Sequence, residues 1–174
     1  LPLSACSEDQ SAPPAANSTE RTIRPPAVAG GFYPSSTEKL TGMIRGYLKE
    51  ADFRNFRGRI VAMIAPHAGY PYSGKTAAAA FKELDDQKVK TVILIGSSHR
   101  AYFSGISIYG GDGYRTPLGT VEVDRVLADR LRQSDKNISY KTGAHNREHS
   151  LEVEIPFLQV LKNDFRIVPI LIGR

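Results

Sequence analysis

The sequence predicts an α/β fold, a three-layer sheet built on a parallel βαβ core, and three observations carry that expectation. Arg59–Ala65 and Thr91–Gly96 are short apolar runs of the kind that form buried strands. Between them, Gly74–Leu84 is rich in alanine and sets Ala77, Ala80, Phe81 and Leu84 on one helical face. Each apolar run hands over directly to a histidine, the first through Pro66-His67-Ala68-Gly69-Tyr70 and the second through Ser97-Ser98-His99. A strand–helix–strand unit of this length implies parallel strands and a right-handed crossover. His67 and His99 are then expected beyond the carboxyl ends of neighbouring strands, where open α/β sheets hold ligands.

The remaining elements follow in chain order. Residues 1–23 are set apart from residues 24–174, which carry the folded pattern. Leu3-Ser4-Ala5-Cys6 matches, in part, the lipobox that ends a bacterial lipoprotein signal peptide, with Cys6 as the acylated residue. Ser7–Glu20 is rich in Ser, Pro, Ala and acids without apolar period, which is linker composition. This reading places the protein in a bacterial cell envelope, tethered through Cys6; the alternative is a cytoplasmic protein. Pro25–Pro34 is extended and turn-rich. Ser35 and Glu38 form a capping box for a helix with Leu40, Met43, Ile44, Tyr47 and Leu48 on the face that packs on the sheet. After His99, Gly105–Tyr109 reads as a strand, and residues 110–119 as loop. Asp124 caps a helix running to about Arg132. His145–Lys162 is a further helical pattern that Pro156 must start or kink. Arg166–Gly173 is a last strand, which Pro169 would confine to an edge or a bulge.

Composition narrows the function. The chain has 174 residues, enough for one domain with a core. Its net charge of +5 is dispersed among acids and accompanied by no nucleic-acid-binding signature, so it is read as a solvated basic surface. A single cysteine excludes an internal disulfide framework, and no apolar stretch is long enough to span a bilayer.

Several motifs compete. Gly69–Thr76 satisfies the pattern of a phosphate-binding P-loop. Pro71, however, removes one of the backbone donors such a loop needs, and the next apolar strand ends without the Asp that would help to hold Mg²⁺. A nucleotide hydrolase is therefore a minor reading. His145-Asn146-Arg147-Glu148-His149 fits an inverted zinc-protease pattern, but Gly143 just upstream could leave His145 outside the helix, and a third ligand is needed. The pair His67 and His99 is the stronger metal or catalytic candidate, because imidazole suits Fe, Zn or Cu. Asp112, Glu148, His149 and Glu152 are the polar residues expected to complete it. His149 is expected to act as acid/base or substrate ligand, with Glu152, one helical turn on, orienting it. Arg115 could grip an anionic substrate. Tyr33, Tyr70 and Tyr72 are packing or rim residues, of which Tyr70 is assigned to the substrate.

Five segments occur together in order: Ala29-Gly30-Gly31-Phe32-Tyr33-Pro34, Ala65–Gly74, Gly96-Ser97-Ser98-His99, Tyr114–Gly119 and Glu148-His149-Ser150-Leu151-Glu152. From about Arg24 onward the chain resembles the Memo family, whose bacterial members are called AmmeMemoRadiSam system protein B. The resemblance implies a fold like that of the class III extradiol dioxygenases, which are non-haem Fe(II) enzymes. It implies that His67 and His99 are metal ligands and His149 a further pocket residue. It also implies that residues 24–174 are the N-terminal portion of a longer domain, incomplete at its C-terminus, in which an Asp, a His and a Cys further along complete the site, the third metal ligand among them. Fe(II) is the expected metal, with Cu or Zn as alternatives. The expected activity is that of an oxidoreductase on a small molecule or peptide. The alternative is a non-catalytic binding or scaffold protein on the same fold.

Overall fold

A computed structural model describes residues 20–52, 54 and 58–173. The lipobox-like Cys6 and the linker to residue 19 lie outside the described residues. The chain is α/β, as its pattern predicts, with two sheets and five α-helices among the described residues. The smaller sheet joins β1 (Ile23–Arg24), β4 (Gly113–Thr116) and β5 (Gly119–Glu122) in the order β1–β4–β5. The larger joins β2 (Thr91–Ser97), β3 (Ile106–Ile108), β6 (Ile138–Ser139) and β7 (Arg166–Ile172) in the order β2–β7–β3–β6. Here β2 runs parallel to β7, and β7 antiparallel to β3, so the larger sheet is mixed.

The expected first strand, Arg59–Ala65, does not form. An apolar run becomes a strand only where a partner edge takes its backbone groups. The one described ladder of β2 is with β7, and Val61 and Ile64 are left 93% and 97% exposed. The parallel core is therefore β2 with β7, and the βαβ unit between His67 and His99 is replaced by an irregular segment, a helix and a strand.

Pro169 lies in an interior strand, contrary to the expectation of an edge. Its carbonyl accepts the Tyr109 N–H, so this residue's backbone groups face β3. The β3 register ends one residue short, at Ile108 opposite Ile170, and the missing proline N–H falls where no strand residue needs it.

The helices are α1 (Thr37–Glu50), α2 (Tyr70–Lys82), α3 (Arg125–Ser134), α4 (Thr142–Asn146) and α5 (Ile155–Leu161). The α1 cap is Ser36, which accepts from the Lys39 N–H, one residue later than the expected capping box. Its buried face, Leu40 and Ile44, packs chiefly against α2 and α5 rather than on a sheet. Gly74 permits that approach: a Cβ there would sit 2.5 Å from the Tyr47 ring. Asp124 caps α3 as expected, accepting from the Leu127 N–H at 3.0 Å. Pro156 starts α5 rather than kinking it, and a 3-10 turn, Glu152–Glu154, precedes it. The stretch expected as loop, Tyr114–Gly119, is instead the hairpin of β4 and β5, turned by Gly119 at φ 117°. Phe81 stacks on Phe157, whose ring also meets Tyr70, and this aromatic group anchors α2 on α5.

Candidate metal centre

Three segments bring the histidines together. His67 precedes α2, where the Tyr70 N–H donates to the Phe32 carbonyl and docks the start of the helix on the Gly30–Tyr33 turn. His99 follows β2, where the Ser98 N–H donates to the Ile172 carbonyl of β7. His149 stands just before the 3-10 turn, its carbonyl accepting the Val153 N–H. Gly96 lets this last segment close on β2, since a Cβ there would meet Ser150 Oγ at 2.5 Å and Leu151 Cδ2 at 2.9 Å. As a result, His67, His99 and His149 each offer a ring nitrogen within 4.8 Å of the other two. The ring centroids of His99 and His149 are 4.7 Å apart, and the Phe32 ring covers His149 at 4.8 Å.

This donor set fits a transition metal. Nitrogens bound at about 2.1 Å around one ion lie roughly 3–4 Å apart, so small ring rotations would close the cluster. Imidazole nitrogens suit Fe, Zn and Cu. Burial, together with His99, His67 and Arg100, holds His149 below the ordinary imidazole pKa despite the opposing pull of Glu148, which favours the neutral ring that metals bind. His149 Nδ1 is buried and has no hydrogen-bond partner among the described residues, although Glu148 Oε1 is 3.3 Å away.

Glu148 is the carboxylate of this site. Oε1 lies 3.0 Å from His99 Nδ1 and accepts the backbone N–H groups of His149 and Ser150, while Oε2 accepts that of His99 at 2.6 Å. Burial alone would raise its pKa, but these hydrogen bonds together lower it to about 2.

Glu152, expected to orient His149, is engaged elsewhere. It is 1% exposed, and its oxygens accept from Arg24 Nη1 at 2.6 Å, the Ala27 and Val28 N–H groups, and the Tyr33 hydroxyl. Arg24, itself 2% exposed, also donates from Nε to the His145 carbonyl and from Nη2 to the Glu148 carbonyl. Glu152 is thus the centre of a buried structural hub, and the acid beside the histidines is Glu148.

One other expectation changes, and two readings already set aside as minor are placed. Tyr70, assigned to substrate, is 2% exposed and donates its hydroxyl to the Val153 carbonyl at 2.8 Å, so it is a core residue. His145 does not join His149: it is fully buried, with Nδ1 2.9 Å from the Tyr114 hydroxyl and Nε2 3.1 Å from Ser107 Oγ. Burial, then Arg24, lowers its pKa to about 4. The P-loop reading fails because α2 already begins at Tyr70, leaving no loop to wrap a phosphate, and Lys75 Nζ pairs with Glu50 at 2.7 Å. Arg115 stands exposed on β4 in the other sheet, and Asp112 is tied to Arg125 and the Thr22 N–H. Sequence reasoning did not anticipate Arg24 or Tyr114. Nothing local marks the role of Arg24, since it and Glu152 are 128 residues apart, while Tyr114 stood within a quoted motif without an assigned role.

Comparison with known proteins agrees with the motif set. The family model for Memo-like proteins matches residues 24–174. A MEMO1 family protein of Methanobrevibacter smithii is 40% identical over 161 residues, covering 87% of this chain and 57% of its own length. Those of Archaeoglobus fulgidus and Methanosarcina barkeri are each 41% identical over 152 residues, covering 87% of this chain and 54% and 55% of their own lengths. The chain thus spans about half the length of the relatives it matches.

Proposed function

We propose a metal-binding function from one premise: the chain belongs to the Memo family. The observation that supports it is the convergence of His67, His99 and His149, whose ring nitrogens lie within 4.8 Å of one another. His67 and His99 are the expected ligands, and His149 is the third imidazole at the same point. The expectation of a third ligand beyond this chain thereby gains a candidate inside it. Fe(II) is the proposed metal, with Cu or Zn as the alternatives that imidazole donors also accept. A bound ferrous ion with open positions supplies Lewis-acid polarisation and one-electron chemistry with dioxygen, which is why oxidoreductase activity of the dioxygenase type is proposed for the whole protein. The chain's own residues do the positioning: three imidazoles bind, Glu148 holds the strand end and the His149 segment together, and Phe32 covers one side of His149. His99 remains exposed, so a small ligand can approach from that side. Kinship of fold does not fix the reaction.

The test is metal analysis of the complete gene product, purified without oxygen, beside His67→Ala and His99→Ala. Near-stoichiometric iron lost in both variants is expected. Metal without dioxygen consumption toward any candidate substrate would favour a binding protein. No metal in folded protein would remove the proposal. Attachment to a cell envelope through Cys6 is a separate proposal, supported only by the lipobox match. A Cys6→Ser form that partitions with membranes as the parent does would end it.

A further inference from the structure

We propose that Glu148 is the positioning residue of this site, the one carboxylate that fixes both the orientation and the tautomer of His99 and ties it to His149. Its consequence for metal affinity rests on the metal-binding reading above, while its geometric part stands without a metal.

Glu148 is 2% exposed, although of the two histidines it contacts His99 is exposed and His149 only part-covered. A buried carboxylate needs several donors, and each one found here belongs to the site. The backbone N–H of His99 donates to Oε2 at 2.6 Å, and those of His149 and Ser150 donate to Oε1 at 2.9 and 3.0 Å. One side chain therefore joins the end of β2 to a segment 49 residues further along. The fourth contact is the informative one. With both oxygens accepting backbone N–H groups, the carboxylate offers His99 Nδ1, at 3.0 Å, an acceptor and not a donor. The hydrogen must sit on Nδ1, and the Nε2 lone pair is left free. A metal-bound histidine commonly has this arrangement, its second nitrogen donating to a carboxylate that sets the ring angle and raises its basicity. His149 is held differently. Its Nδ1 is 3.3 Å from the same Oε1 without a hydrogen bond, so Glu148 fixes it through the backbone rather than the ring. Glu152 cannot substitute, because its oxygens are taken by Arg24, Ala27, Val28 and Tyr33.

The experiment uses the full-length protein with ¹⁵N-labelled histidine, metal-free, beside Glu148→Gln and His99→Ala. Long-range ¹H–¹⁵N spectra read the His99 tautomer, and competition against a chromophoric chelator reads Co²⁺ affinity. We expect His99 to carry its hydrogen on Nδ1 in the parent and to lose that preference in Glu148→Gln. Co²⁺ affinity in that variant should fall by about 10- to 100-fold with the fold intact. An Nε2–H tautomer in the parent would overturn the inference whatever the variant does, so a variant that fails to fold leaves it testable. An unchanged tautomer and unchanged affinity in folded Glu148→Gln, with His99→Ala still abolishing Co²⁺ binding, would overturn it and keep the metal site. If the parent binds no Co²⁺ yet the tautomer follows Glu148, the metal reading fails and the positioning role holds.

Discussion

Replacing Arg24 by Met should be among the most damaging single changes in this chain. The guanidinium is 2% exposed and faces a carboxylate that is 1% exposed at 2.6 Å. Removing it leaves Glu152 charged, buried and short of its one cationic partner among the described residues, which typically costs about 3–5 kcal/mol. The same change strips a donor from each of the His145 and Glu148 carbonyls. The His145 carbonyl keeps the Glu148 N–H, so only the Glu148 carbonyl loses this buried donor, which adds about 1–3 kcal/mol, and a total near 5 kcal/mol is expected. Lys at this position keeps the charge but lacks the guanidinium fork, and should recover only part of the loss. The assay is a double-mutant cycle in urea with Arg24→Met, Glu152→Met and both together. The two sites are in contact, so the double variant should be markedly more stable than the sum of the singles predicts. A loss below about 1 kcal/mol in Arg24→Met, or a cycle without coupling, would refute the hub. The cycle also tests how the two acids divide their work. Folded Glu152→Gln should bind metal as the parent does, and weakened binding there would return Glu152 to the site.

The other predictions are briefer. Burial raises the Glu154 pKa from 4.5 to about 8, and its Oε2 has no hydrogen-bond partner among the described residues. Between those values the unfolded chain ionises and the folded one does not, so stability should fall as pH rises, by roughly 1.4 kcal/mol per unit, and Glu154→Gln should flatten that slope in urea midpoints. His145 has the opposite sign: its pKa falls from 6.5 to about 4, so its contribution is present above 6.5 and lost as pH drops toward 4. His145→Asn should remove that acid limb while lowering stability overall, because the Tyr114 and Ser107 contacts go with it. Gly96→Ala forces a Cβ to 2.5 Å from Ser150 Oγ, and should cost about 1–3 kcal/mol and weaken metal binding by moving His99 relative to His149. Unchanged thermal stability and unchanged Co²⁺ affinity would contradict it.

What the sequence made legible follows from the range of the interactions. Thr91–Ser97 and Arg166–Ile172 were readable as strands because each is a β-branched apolar run, and the two pair with each other along their whole length. Asp124 was readable as a cap because its partner is three residues away. His67 and His99 were paired on the premise that each follows a strand; only His99 does, yet the two rings lie with centroids 5.3 Å apart. The failures share a different cause. Arg59–Ala65 has the composition of a strand, but composition does not supply a partner edge. Pro71 looked like a loop residue, yet proline is well suited to the first turn of a helix, and α2 begins four residues earlier than the alanine pattern suggested. The spacing of His145 and His149 mimicked a metal motif, and only the fold shows that Tyr114 and Ser107 claim the first of them. Helical spacing likewise favoured Glu152 over Glu148 as the partner of His149. The segment 147–151 is not a regular helix, so that spacing does not apply.

The central claim is that three imidazoles of this chain meet at one metal ion. X-ray absorption at the iron edge of anaerobically reconstituted full-length protein tests it most directly. The account predicts a shell of nitrogen and oxygen scatterers with the outer-ring signature of three imidazoles, falling to two in each of His67→Ala, His99→Ala and His149→Ala. Iron bound with the same imidazole signature in His149→Ala as in the parent would take His149 out of the ligand set. Iron bound without imidazole in the parent would contradict the account as a whole.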